Sequence, residues 1–147
     1  GVTIILTADN PADIGNVDIN GGAGVTLSAQ TTEQINAAWN PSELDPSPTA
    51  LGEYAGVLIY QDRDAPYESN SNTINGGSTM TFNGAVYFPK QEITFVGTAG
   101  MDNDCARVIG NQVTLSGDSD FSINNDPALC GDYGFEAMTI DVVRLME

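Results

Sequence analysis

The stretch Ile74–Gly97 reads INGGSTMTFNGAVYFPKQEITFVG, and its pattern sets the expectation for the whole fold. Three alternating apolar runs, Met80–Phe82, Val86–Phe88 and Ile93–Phe95, follow one another about six residues apart. Period-two alternation over short runs closed by Gly, Asn or Pro predicts strands. The stretch also has an earlier copy: Ile19–Leu27, INGGAGVTL, matches Ile74–Phe82, INGGSTMTF, at a spacing of 55 positions. Both copies carry a doubled glycine before the strand, Gly21-Gly22 and Gly76-Gly77. Such a doublet predicts a corner that needs positive φ or close approach of a neighbouring chain segment.

Outward from this stretch, an apolar-Thr-apolar unit recurs around Thr3, Thr26, Thr81, Thr94, Thr114 and Thr139. A second family of strands starts at Gly56 (GVLIY) and Gly84 (GAVYF), with a looser copy at Ala106 (ARVIG). Strand, corner and strand repeating every 20–28 residues predict an all-β fold in which units stack and share one narrow core. The expected architecture is a short right-handed parallel β-helix, a β-solenoid, formed as a single domain over residues 1–147. An antiparallel β-sandwich, which also shows short strands at close spacing, is the alternative. Residues 31–53 interrupt the pattern. Thr31-Thr32-Glu33-Gln34 starts a helix, Ile35–Trp39 continues it, and Asn40-Pro41 ends it. A helical and loop insertion is therefore expected there, with the lone Trp39 either packed onto the sheet or exposed as a partner anchor.

Composition narrows the function. Twenty acidic residues against four basic ones give a formal charge of −16, and there is no His. Without an imidazole there is no Ser-His-Asp or Cys-His nucleophile, and two Cys cannot build a four-Cys zinc site. A polyanion would be repelled, so no nucleic-acid partner is expected, and anionic membrane surfaces are disfavoured in the same way. No apolar run approaches the length of a membrane span. The chain opens directly on strand-like residues, which reads as a mature fragment or a domain cut from a longer protein.

Several of these segments together resemble a known family. GVTIILT (1–7), INGGAGVTLSAQ (19–30), YAGVLIYQDRDA (54–65), the 72–97 stretch and CARVIGNQVTLSG (105–117) look like the C-terminal region of TadG-like proteins, which are encoded with the bacterial Tad/Flp pilus machinery. The resemblance spans roughly Gly1–Cys130 and is most specific at Gly56–Arg63 and Ile74–Pro89. It implies an extracellular, cell-surface or periplasmic location and a role in pilus assembly or surface attachment. It also implies partners among cell-surface or pilus-machinery proteins. A membrane link would come only through a segment absent from this chain. The family brings no catalytic residues to carry over, and residues 31–53 are longer than expected within it.

The remaining candidates come from the residues themselves. Cys105 and Cys130 are 25 positions apart; in an acidic, Lys-poor β protein a disulfide is the better reading, and two separate buried thiols the alternative. Asp102-Asn103-Asp104 and Asp118-Ser119-Asp120 each offer two carboxylates at i and i+2, the oxygen donors that calcium takes. Solvated corner residues are the plainer reading of Asp102, Asp104, Asp118 and Asp120. Asp62 and Asp64 flank Arg63, but with so few cationic groups to hold a sugar, paired-carboxylate hydrolysis is a minor alternative, as is lyase action on polysaccharide. The expectation is a non-enzymatic secreted or cell-surface domain with an adhesive, structural or pilus-associated role. Calcium-dependent carbohydrate binding, ice binding through a threonine ladder and self-association into filaments are the alternatives. The six Thr spacings are irregular, so no single face is expected to collect them all.

Overall fold

A computed structural model describes residues 1–20, 25–38, 52–76, 80–97, 101–117, 121–124 and 126–135. The β-branched runs form β1 (Ile4–Leu6), β2 (Asp18–Asn20), β3 (Thr26–Ser28), β4 (Val57–Gln61), β5 (Glu68–Gly76), β6 (Thr81–Gly97), β7 (Met101–Asn103), β8 (Ala106–Ser116) and β9 (Phe121–Ile123). Two short helices, α1 (Thr32–Ala38) and α2 (Pro127–Asp132), and a 3-10 turn at Pro11–Asp13 complete the described elements.

Every strand pair among the described residues is parallel. The sequence copy is a structural one as well: Ile19 lies beside Ile74 and Thr26 beside Thr81, each 55 positions on. Neither expected architecture describes the result, however. The strands form one seven-stranded all-parallel sheet curled into a half-barrel, with β7 and β9 in a separate two-stranded sheet. Uniform parallel pairing overturns the antiparallel sandwich. The β-helix expectation is corrected by how the strands connect: three of the predicted strands fuse into the single 17-residue β6, which pairs with β3, β4, β5 and β8. The apparent corners between Phe82 and Ile93 are bends in one continuous strand.

Those bends have identifiable causes. At Gly84 the backbone has φ +129, a conformation that side chains resist. A Cβ there would stand 2.6 Å from the Ala29 Cβ and 3.0 Å from the Gly56 carbonyl oxygen. Further along, the register shifts between Phe88 and Glu92 on β6 and between Glu68 and Asn72 on β5, and at this break, at strand starts and in the loop before β5 some backbone groups lie outside the ladder. Buried side-chain amides take them up, as buried polar groups require. Asn72 accepts from the Val17 N–H at 2.9 Å and donates to the Glu92 carbonyl at 3.1 Å. Asn103 accepts from the Phe82 N–H at 2.7 Å, and Gln91 donates to the Pro66 carbonyl at 3.2 Å. Gly56, Gly84, Gly117 and Gly134 take positive φ, while the buried Asn72 and Asn103 act through their side-chain amides.

Inside the curl, Leu58, Ile59, Ile74, Phe82, Val86, Phe88, Ile93 and Phe95 are almost fully buried and form one cluster. Each such side chain contributes about 1.5–3 kcal/mol relative to exposure. Cys105 and Cys130 are bridged, tying α2 to the start of β8 and bringing Cys130 and Tyr133 into the same cluster. The helix read at Thr31–Gln34 is present as α1. Thr31 and Gln34 form a reciprocal capping box, with Gln34 N–H to Thr31 Oγ1 and Thr31 N–H to Gln34 Oε1, both 3.1 Å. Ile35 is its buried residue. Trp39 and the rest of the expected insertion up to residue 51 lie outside the described residues, as do Gly21, Gly22 and Gly77.

Candidate functional site

The outward face of the sheet carries an aromatic groove that no motif announced. A bulge positions it. β4 pairs Val57 with Ala85 but Ile59 with Val86, so Leu58 is an extra residue, and Leu58 and Ile59 are buried side by side. Such a bulge re-aims every side chain that follows it. Aligning the two GV/GA strands on Gly56 and Gly84 would place Tyr60 beside Phe88. The bulge instead sets Tyr60 beside Tyr87, and register continues the row to Ile5 on β1 and Ile109 on β8.

Tyr60 and Tyr87 stack with ring centroids 5.4 Å apart and planes 11° from parallel. Tyr54, brought in by the turn that ends at Gly56, meets Tyr60 edge-on at 5.7 Å. Arg63 donates from Nε to the Tyr87 hydroxyl at 3.1 Å, and its guanidinium carbon lies 5.8 Å from that ring's centroid. The result is an open cavity of about 420 Å³ with Val57, Ala85 and Ile109 contributing apolar surface, Tyr54, Tyr60 and Tyr87 aromatic surface, and Glu53 and Arg63 the two charges. Burial pushes the Tyr60 hydroxyl above the ordinary tyrosine range, against the opposing pull of Arg63. It is therefore a neutral donor and acceptor at physiological pH. Stacking covers one face of each of the Tyr60 and Tyr87 rings.

The residues singled out from sequence fall elsewhere. β4 stops at Gln61, so Asp62 and Asp64 lie on a turn rather than on a continuing strand. Asp62 accepts from the Asp64 N–H at 3.0 Å and from the Thr7 hydroxyl at 3.0 Å; these hydrogen bonds, the Asp64 one foremost, hold its carboxyl below the usual carboxylate range. Asp102 stands on β7 beside Ser122. Asp104 is exposed, and its carbonyl accepts from the Asp126 N–H at 3.0 Å. Asp118 and Asp120 lie outside the described residues. Among the described residues no three Asp, Glu, Cys or His side chains converge on a point that would hold a metal ion.

The threonines divide into separate rows. Thr26 pairs with Thr81, and Thr73, Thr94 and Thr114 form a second row. Thr3 gives its hydroxyl to the Val57 carbonyl at 2.8 Å, and Thr94 and Thr114 give theirs to Glu92 at 3.5 and 2.6 Å. Thr139 is outside the described residues.

No described helix is long and apolar enough to cross a membrane. No family model, curated protein or solved structure matches the chain.

Proposed function

We propose that this is a non-catalytic, exported attachment domain of the TadG-like type, and that the tyrosine groove binds neutral glycan at a cell or surface. The observation that carries the reading is the Tyr54–Tyr60–Tyr87 cluster with Arg63 at its edge. A concavity of a few hundred Å³ that combines apolar surface with a few polar groups to fix orientation is a form that small-ligand sites take. Tyrosine suits sugar because one side chain supplies apolar surface and a hydroxyl together. The formal −16 disfavours uronic-acid and phosphate-bearing chains by long-range repulsion, leaving neutral saccharide as the matching class. The groove's lining holds a single carboxylate, Glu53, whereas the common glycosidase mechanisms use two, which favours binding over cleavage. The disulfide is compatible with an oxidising compartment, and pilus-associated surface attachment is the setting that the family resemblance supplies.

The test is a panel of immobilised neutral and acidic glycans probed with the parent, Tyr60→Ala and Tyr87→Ala. The parent binds a neutral subset, and each substitution lowers affinity by about tenfold or more, the equivalent of about 1.4 kcal/mol. A parent that retains none of the neutral glycans, or tyrosine variants that bind as the parent does, refutes the proposal.

A further inference from the structure

The strand path β1–β4–β6–β8 has two ends, and their surfaces are alike. Among the described residues β1 pairs only with β4, and β8 only with β6. Seven large hydrophobic side chains are exposed among those residues, and five of them, Val2, Ile5, Ile109, Val113 and Leu115, lie on β1, β8 or the residues leading into β1. On β8 the exposure reaches rows that are core elsewhere. Val113 and Leu115 lie beside Ile93 and Phe95, which are 0% and 1% exposed, yet Val113 and Leu115 are 45% and 56% exposed. The outward row Ile5–Tyr60–Tyr87–Ile109 is likewise bare at both ends, Ile5 at 46% and Ile109 at 47%.

Charge follows the same division. Val2–Thr7 carries no charged residue, and Ala106–Ser116 carries only Arg107, in a chain with 20 acidic residues. Open strand edges are normally protected against pairing by charged side chains, proline or bulges. In the rows that β1 and β8 share, residues 4–6 and 108–110 carry no charge, so two strongly acidic molecules can meet there without opposing carboxylates. We propose that β8 of one molecule pairs in parallel with β1 of a second copy, continuing the sheet and its apolar rows from molecule to molecule. The contact is heterologous: each copy uses one surface to give and another to receive, and repetition yields open chains rather than a closed dimer. It does not depend on what the tyrosine groove binds.

Sedimentation velocity on the parent chain tests this at increasing concentration, in roughly 0.1 M and roughly 1 M salt, where the screening length falls from about 10 to about 3 Å. The average mass is expected to rise with concentration, and more steeply at high salt. Ile109→Lys removes the β8 surface in the rows that lead to β1, and Ile5→Lys removes the β1 surface, so each variant alone stays monomeric. Mixed together they form a dimer and nothing larger, because each retains the edge that the other lacks. Circular dichroism confirms that both variants are folded; should Ile109→Lys melt early, the milder Ile109→Asn takes its place. A parent that remains monomeric at both salts overturns the proposal, as do variants that associate like the parent or a mixture that fails to dimerise.

Discussion

Replacing Gly84 by alanine should be among the costliest single-methyl additions in the protein. The residue sits at φ +129, where an L side chain is strained, and its added Cβ would stand 2.6 Å from the Ala29 Cβ and 3.1 Å from the Leu58 Cβ. Those neighbours are 1% and 0% exposed, so neither can move aside into solvent. Backbone strain of about 1–2 kcal/mol and overpacking of about 1–3 kcal/mol act together. The smaller entropy of an unfolded alanine offsets about 0.4–1 kcal/mol. The net loss is about 1–5 kcal/mol, a fall in Tm of roughly 2–20 °C for a chain of this size. Urea unfolding followed by circular dichroism measures it, with an unchanged m-value marking a true stability effect. Gly131→Ala is the control of opposite sign. It lies in α2 with nothing within 4 Å of its added Cβ, so it should stabilise by about 0.5–1 kcal/mol. A Gly84→Ala variant as stable as the parent would refute the argument that this position shapes the bend in β6.

Further outcomes follow from the same geometry. Cys105→Ser with Cys130→Ser should cost about 3–4 kcal/mol, the loop entropy of a bridge of this span, read as a lower urea midpoint than in the oxidised parent. Thr31→Ala removes one half of the capping box and should cost about 1 kcal/mol, seen as faster amide exchange across α1. Asp62 has a folded pKa below its unfolded value; its contribution is therefore complete above about pH 4 and is lost as pH falls through the lower folded pKa. Asp62→Asn should flatten that acid limb of the stability profile. Tyr60 is shifted upward, so a Tyr60→Phe difference titration followed by tyrosinate absorbance should show ionisation above about pH 10.

Much of the local structure was legible in the sequence. The 55-residue copy is physically meaningful because identical side chains on neighbouring parallel strands stack in register, as Ile19 does beside Ile74. The helix at 32–38 was legible because its capping residues, Thr31 and Gln34, act over one turn. The disulfide was legible from its redox context. The curl was not, because alternation reports which face a residue takes but not how many partners a strand has. Gly84 and the 88–92 segment looked like corners, and they are bends inside β6. The tyrosine groove stayed hidden for a related reason. Its row depends on one extra residue, Leu58, and aligning the strands on their glycines puts Tyr60 opposite the wrong neighbour. The acidic doublets drew attention through charge alone, and charge density does not show convergence.

The central claim is that the tyrosine groove is where the domain meets its ligand. The most direct test is an amide-shift map of the isotopically labelled protein titrated with the neutral glycan that binds best on the panel, with and without EDTA. Saturable shifts centred on Val57, Tyr60, Ala85 and Tyr87, unchanged by EDTA, are the predicted result. Shifts centred instead on the Asp102–Asp104 segment and abolished by EDTA would contradict it.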